Sequence, residues 1–378
     1  MLRFARLQPE LIDSYCGPAE LKAQVDAEPP PTYERLAEQA AELDGEVAAA
    51  EPDETRRSWL AAQLSGLETA CRWFAGEELA YADCVRSAHQ VEAEIVPEQV
   101  FAAAHARLDE ALPGRGPLVE RFAAWRDSQL VAPELVGPGL ETLAAGLRER
   151  TAAVADLPDG DEVEFELVTD KPWSGFCDYL GNLRTRVSIN VELPKPAGQL
   201  FELVTHEVYP GHHTEHLCKE ALIVEHGRAE LAVYLFTSPQ AVVTEGIAML
   251  AHEALLGEDA DRVGAELLGR VGIDYDAETG AVVRSVQEAL DSVGPNLVQL
   301  VAEGRIPREE ARAYLRRWLV DPDEVVDKAL HFYLDEPWPP YGICYPAGKA
   351  LARRFVAGDP ARFQRLLAEQ LTPRDLAA

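Results

Sequence analysis

Positive charge is scarce in this sequence: 35 Lys and Arg face 65 Asp and Glu, which leaves a net charge of −30 and an isoelectric point near 4.6. A field of that sign repels phosphate backbones and anionic membrane surfaces, so nucleic acid and membrane are excluded as expected partners. Paired cysteines are missing too. Cys16, Cys71, Cys84, Cys177, Cys218 and Cys344 are scattered without a C-x-x-C pair, which argues against a cysteine zinc knuckle and a disulfide framework and for reduced thiols. No run reaches the roughly 18 uninterrupted apolar residues that a spanning helix needs. The start, Met1-Leu2-Arg3-Phe4-Ala5-Arg6, passes at once into polar residues without the apolar core of a signal peptide, which predicts a cytoplasmic protein.

The apolar share is 47%, enough for a sizeable core, and aromatics make up 7%. Alanine and leucine dominate where β-branched residues would suggest sheets, so a mainly α fold is expected. The length of 378 residues is compatible with one catalytic body that carries an N-terminal helical lobe, with 1–157 as the lobe and 158–378 as the catalytic region.

Helical periodicity covers Tyr33 to Ala50, Asp53 to Ala75, Pro97 to Leu112 and Leu140 to Leu157. His89 and His105 stand singly on these patterns and read as packing or surface histidines. The turn-rich Leu157-Pro158-Asp159-Gly160-Asp161 introduces two strand candidates, Val163 to Val168 and Arg186 to Val191, a small sheet just before the chemical site. Beyond Pro196 helices resume as far as Val293, where Gly294-Pro295-Asn296 interrupts the pattern. They return over Pro307 to Leu319, Pro322 to Phe332 and a final pair after Tyr341, with no internal repeat.

The stretch Thr205-His206-Glu207-Val208-Tyr209-Pro210-Gly211-His212-His213-Thr214-Glu215-His216 places four of the nine histidines within eleven positions. Neutral imidazoles are the commonest ligands of catalytic zinc, and a Glu beside the first His is placed to act on a metal-activated water without ligating. In the zincin pattern H-E-x-x-H, two histidines four apart fall about 40° from each other on one helix. Here the fifth position is Pro210, and His212 lies six residues on, roughly 120° off the face of His206. Pro210 removes a donor and clashes with the His206 carbonyl, and Gly211 tolerates unusual dihedrals, so a two-residue bulge would bring His212 to the second-ligand role. His213 returns to within about 20° of the first face but about 10 Å along the axis, and is the reserve candidate.

His206-Glu207-Val208-Tyr209-Pro210-Gly211-His212 resembles the H-E-x-x-P-G-H signature of the DUF885 family, to which zinc-dependent peptidase activity is ascribed. That family also carries an E-G-W-A-x-Y segment that supplies a third ligand. Glu245-Gly246-Ile247-Ala248-Met249-Leu250 is similar to it, with Ile247 for Trp and Leu250 for Tyr, changes that alter a pocket wall and keep the carboxylate. A third segment, a tyrosine followed by P-G-Q-A-L, is similar to Tyr341-Gly342-Ile343-Cys344-Tyr345-Pro346-Ala347-Gly348-Lys349-Ala350-Leu351, with one residue extra and Lys for Gln. The resemblance covers Leu167 to Leu351 and implies a large helical zincin-like body with a small sheet beside the site helix.

It also implies one zinc ion held by His206, His212 and Glu245, with Glu207 as general base. Glu245 stands 39 residues after His206, room for one helix to end and a second to return beside it. Two His and one Glu leave a fourth position open, as in catalytic zinc sites. The oxyanion formed in attack on an amide needs a further donor, for which Tyr341 and Tyr345 are the candidates, with Lys349 behind them. Asn190, on the second strand candidate, is a substrate contact if an extended peptide adds to that strand's edge. Glu215 reads either as an acceptor for a ligand His or as an exposed helix Glu, and His216 and His252 as supporting or surface residues.

The expected function is therefore a zinc metallopeptidase acting on a short peptide or small amide. Two alternatives share the site: hydrolysis of a non-peptide amide or ester, and a non-catalytic metal-binding relative. An intact Glu207 favours an enzyme. Oligomeric state leaves no trace in the sequence.

Overall fold

Several helices open on a capping side chain. Thr32 and Asp53 accept from the backbone N–H groups of Arg35 and Arg56 and so open the helices Tyr33–Ala50 and Glu54–Phe74. A computed structural model describes residues 1–171, 173–335 and 337–378, and the fold is mainly α with two small sheets. Among the described residues no helix is long and apolar enough to cross a membrane.

Six helices position the site: α1 (Pro133–Thr151), α2 (Ala197–Glu207), α3 (His212–Val224), α4 (Pro239–Leu256), α5 (Ala277–Leu290) and α6 (Cys344–Val356). The strands are β1 (Ile12–Tyr15), β2 (Glu162–Val168), β3 (Gly175–Gly181), β4 (Arg184–Asn190) and β5 (Val233–Leu235). β1 pairs antiparallel with β5. The larger sheet has the order β2-β4-β3, with β2 parallel and β3 antiparallel to β4.

β4 alternates as a half-buried strand should. Thr185, Val187 and Ile189 point inward, and Val187 and Ile189 join Leu140 and Leu143 of α1 and Leu200 and Val204 of α2 in one core. Each such aliphatic side chain contributes about 1.5–3 kcal/mol by leaving water. The sheet is thereby clamped against the helix that ends in His206 and Glu207.

Three expectations shift. The helix expected over Leu140 to Leu157 is α1, which begins at Pro133, a residue suited to the first helical position, and stops at Thr151. Gly294-Pro295-Asn296 does not break the chain but forms the first turn of the helix Val293–Ala302, where a proline forfeits no helical hydrogen bond. Gly294 serves packing: a Cβ there would lie 2.0 Å from the Tyr333 ring. The strands β1, β3 and β5 lie outside both strand candidates, and β5 interrupts the stretch beyond Pro196 expected to be helical.

α4 is apolar and buried around most of its circumference, and it crosses α6 backbone to backbone. A Cβ on Gly246 would stand 2.5 Å from the Gly348 carbonyl oxygen, and one on Gly348 2.3 Å from that of Val242. Only glycine permits that approach. It sets Glu245 of α4 against Tyr341, in the 3-10 turn Pro339–Ile343 that leads into α6, and Tyr345, in the first turn of α6.

Candidate metal centre

α2 and α3 meet at a complete break where the sequence suggested a bulge. Glu207 is the last residue of α2, Val208 leaves helical geometry at φ −121° and ψ −91°, the Tyr209-Pro210 peptide is cis, and α3 restarts at His212. Gly211 has an ordinary negative φ of −79°. Its requirement is steric, because a Cβ there would sit 1.8 Å from the His206 carbonyl oxygen. The break is tied down by Val208, whose carbonyl accepts from the Thr214 amide at 3.2 Å and from the Thr214 hydroxyl at 3.1 Å.

This geometry brings His206 and His212 together. Their Nε2 atoms are 3.1 Å apart with the rings at 90°. Glu245 faces both, with Oε2 at 3.4 Å from the His206 Nε2 and Oε1 at 3.8 Å from that of His212. One donor atom each of His206, Glu207 and His212 also fall within 4.8 Å of one another, so two carboxylates flank two imidazoles.

Bonds of 2.0–2.1 Å in a tetrahedron place neighbouring donors about 3.3 Å apart, so the spacings of His206, His212 and Glu245 fit a small divalent cation. Glu245 Oε2 is buried yet makes no hydrogen bond, the kind of orphaned acceptor that a cation would satisfy.

The two carboxylates differ electrostatically. Burial pushes Glu207 up to about 7, against a smaller opposing pull from His206. Burial would also raise Glu245, but His206, His212 and the Tyr341 hydroxyl outweigh it and hold its carboxyl below the usual range. Burial pulls His212 down to about 4, which keeps a neutral imidazole. For His206 burial acts in the same direction, and the facing carboxylates of Glu245 and Glu207 overcome it and raise the ring.

His213 turns away from the cluster. Its Nδ1 lies 2.6 Å from Thr185 Oγ1 and its Nε2 3.4 Å from Asp161 Oδ2, so both nitrogens are engaged on the sheet side of α3. Asp161 has a fully buried side chain and also accepts from Arg148 and from the Tyr209 hydroxyl. Nothing in the sequence but a turn signal marked this aspartate, which anchors the residue before Pro210.

The Tyr341 hydroxyl donates to Glu245 Oε1 at 2.6 Å and is not poised over the imidazoles. The Tyr345 ring is 6.5 Å from the His206 ring and 5.5 Å from that of Tyr341. Burial and the Glu245 charge push both phenols well above their usual range, so both remain donors. Lys349 is directed elsewhere, donating to Glu288 at 2.8 Å.

Asn190 is committed within the protein. Its amide donates to the carbonyls of Lys171 and Trp173, and its oxygen accepts from the Glu192 amide. β4 is the middle strand and offers no free edge. The outer strand on the site side is β3, and a Cβ on its Gly175 would lie 2.7 Å from Glu207 Oε1.

Glu215 is buried and takes Lys219 and Thr244 as partners, so the exposed alternative does not hold. His216 stacks on Tyr179 at 4.6 Å, and His252 lies 2.8 Å from an Arg284 nitrogen. His89 receives the Trp338 indole N–H at 3.1 Å and His105 meets the Trp318 carbonyl at 2.8 Å, both packing roles. Glu202 escaped notice although it stands one helical turn before His206, and burial raises it to about 7.

No family model matches the chain, and no curated protein matches it. Three solved chains do. Among them is a crystal structure described as that of a lipoprotein from Colwellia psychrerythraea, which superposes with a TM-score of 0.56 at 18% identity over 79% of this chain. The chain spans 54% of the length of that structure. At this identity the shared property is the fold, a mainly α body with a small sheet.

Proposed function

We propose that the protein is a zinc-dependent hydrolase of the DUF885 kind, most simply a peptidase acting on short peptides. The observation that carries the reading is the approach of His206, His212 and Glu245, whose donor atoms converge at 3.1–3.8 Å, with Glu245 Oε2 facing His206 and making no hydrogen bond. These three residues would hold the ion, and zinc suits the two-nitrogen, one-oxygen set. When bound, it supplies Lewis-acid polarisation of a carbonyl and a more acidic water.

The chain's own groups do the rest. Glu207, raised to about 7, accepts the proton of the attacking water and returns it to the leaving nitrogen. Tyr345, a protonated phenol whose ring stands 6.5 Å from that of His206, is the proposed donor for the developing oxyanion. Among the described residues β3 has a backbone ladder with β4 alone, and its Gly175 end passes Glu207, so an extended peptide laid along that end would present a carbonyl to the cluster.

The test compares wild type with Glu207→Gln on a mixed peptide library, with zinc quantified in both. About one zinc per chain in each, cleavage by wild type and a loss of roughly 10²–10⁴-fold in the variant are expected. Zinc in both with no peptide cleaved by either would remove the peptidase reading.

A further inference from the structure

The buried carboxylate of Glu245 has two oxygens in unlike situations. Oε1 accepts the Tyr341 hydroxyl at 2.6 Å, whereas Oε2 has no hydrogen bond and lies 3.4 Å from the His206 Nε2. Tyr341 is itself held in place. Its ring packs on Phe236 at 4.9 Å and on Tyr345 at 5.5 Å, and it belongs to the short 3-10 turn Pro339–Ile343 that leads into α6. The glycine crossing of α4 and α6 fixes that turn relative to Glu245. A hydroxyl so placed restricts rotation of the carboxylate about its last bond.

We infer that Tyr341 is a positioning residue that holds Glu245 through Oε1 and reserves Oε2 for the cation. The inference rests on the metal-site reading above and deepens it. It moves Tyr341 from the oxyanion, where the sequence suggested it, to the carboxylate that holds the ion. Losing a hydrogen bond of this kind to a metal ligand typically weakens metal affinity 10- to 100-fold.

The experiment is zinc affinity by chelator competition on the full chain for wild type, Tyr341→Phe, Glu245→Gln and the double variant, with far-UV circular dichroism to verify folding. Tyr341→Phe should bind zinc about 10- to 100-fold more weakly than wild type. In the Glu245→Gln background the same change should alter affinity less than about twofold, since independent effects would add. A general structural role for the ring would weaken both backgrounds equally.

Phe236→Leu keeps the hydroxyl, loosens the ring and should weaken zinc by a smaller factor. It decides the matter if Tyr341→Phe does not fold, an unchanged affinity counting against the inference. Folded Tyr341→Phe with wild-type affinity overturns the positioning role and leaves the metal site standing. Wild type without zinc affinity overturns both.

Discussion

His212 and His213 are consecutive on α3, yet their rings meet opposite surroundings. His213 faces the sheet with both nitrogens engaged, one by Thr185 and one by Asp161. His212 faces the candidate metal cluster with its Nδ1 buried and unpaired and its Nε2 set against a second imidazole and a carboxylate. On the sheet side polar groups are satisfied and hold the fold. On the cluster side they are left incomplete, and an incomplete buried set is what a ligand completes. One residue of helix rotation, about 100°, separates the two.

The largest effect expected tests that contrast directly. His212→Ala should abolish measurable zinc binding while His213→Ala retains it, read by elemental analysis of dialysed protein. Zinc loss in His213→Ala that remains folded would break the comparison. Gly211→Ala comes next, because its methyl would collide with the His206 carbonyl. We expect about 3 kcal/mol of lost stability in urea unfolding, with zinc weakened as the two helices part.

Asp161→Asn sharpens the sheet side. Burial alone would raise the Asp161 carboxyl, but hydrogen bonds from His213, Arg148 and Tyr209 hold it far below the usual range. A carboxyl depressed in the folded state contributes stability that is present above its unfolded value near 4 and is lost as pH falls towards the folded value. Asp161→Asn should therefore cost about 3 kcal/mol at pH 7 and leave a shallower acid limb below pH 4, seen in melts across pH.

The smallest effect belongs to Lys349→Gln. Burial would raise Glu288, but Arg353 and Lys349 bring it down to about 2, and Arg353 remains after the substitution. A loss of about 1 kcal/mol at pH 7, fading as pH drops below 4 towards 2, is expected in the same melts.

The helices were legible because their apolar spacing is local, and the candidate cluster because His206, Glu207 and His212 lie together in the chain. β2 and β4 were legible by alternation. What was not legible depends on atoms distant in sequence. That Gly211 serves the His206 carbonyl, that Gly246 faces Gly348, and that Tyr341 reaches Glu245 are contacts made only once helices pack. Asn190 looked like a peptide contact because its strand's neighbours were unknown, and pairing on both sides of β4 removes the edge. β3 carries a weaker signal: Phe176, Cys177 and Tyr179 are all apolar around a single Asp178, and Gly175 and Gly181 bracket it like turn residues.

Zinc X-ray absorption on the purified full chain loaded with one equivalent reads the ligand set itself. We expect one tightly held ion with two imidazoles and oxygen donors at about 2.0–2.1 Å in wild type and in His213→Ala, and no zinc retained by His212→Ala. A sulfur neighbour at about 2.3 Å, or His212→Ala retaining zinc with the wild-type spectrum, would contradict that ligand set.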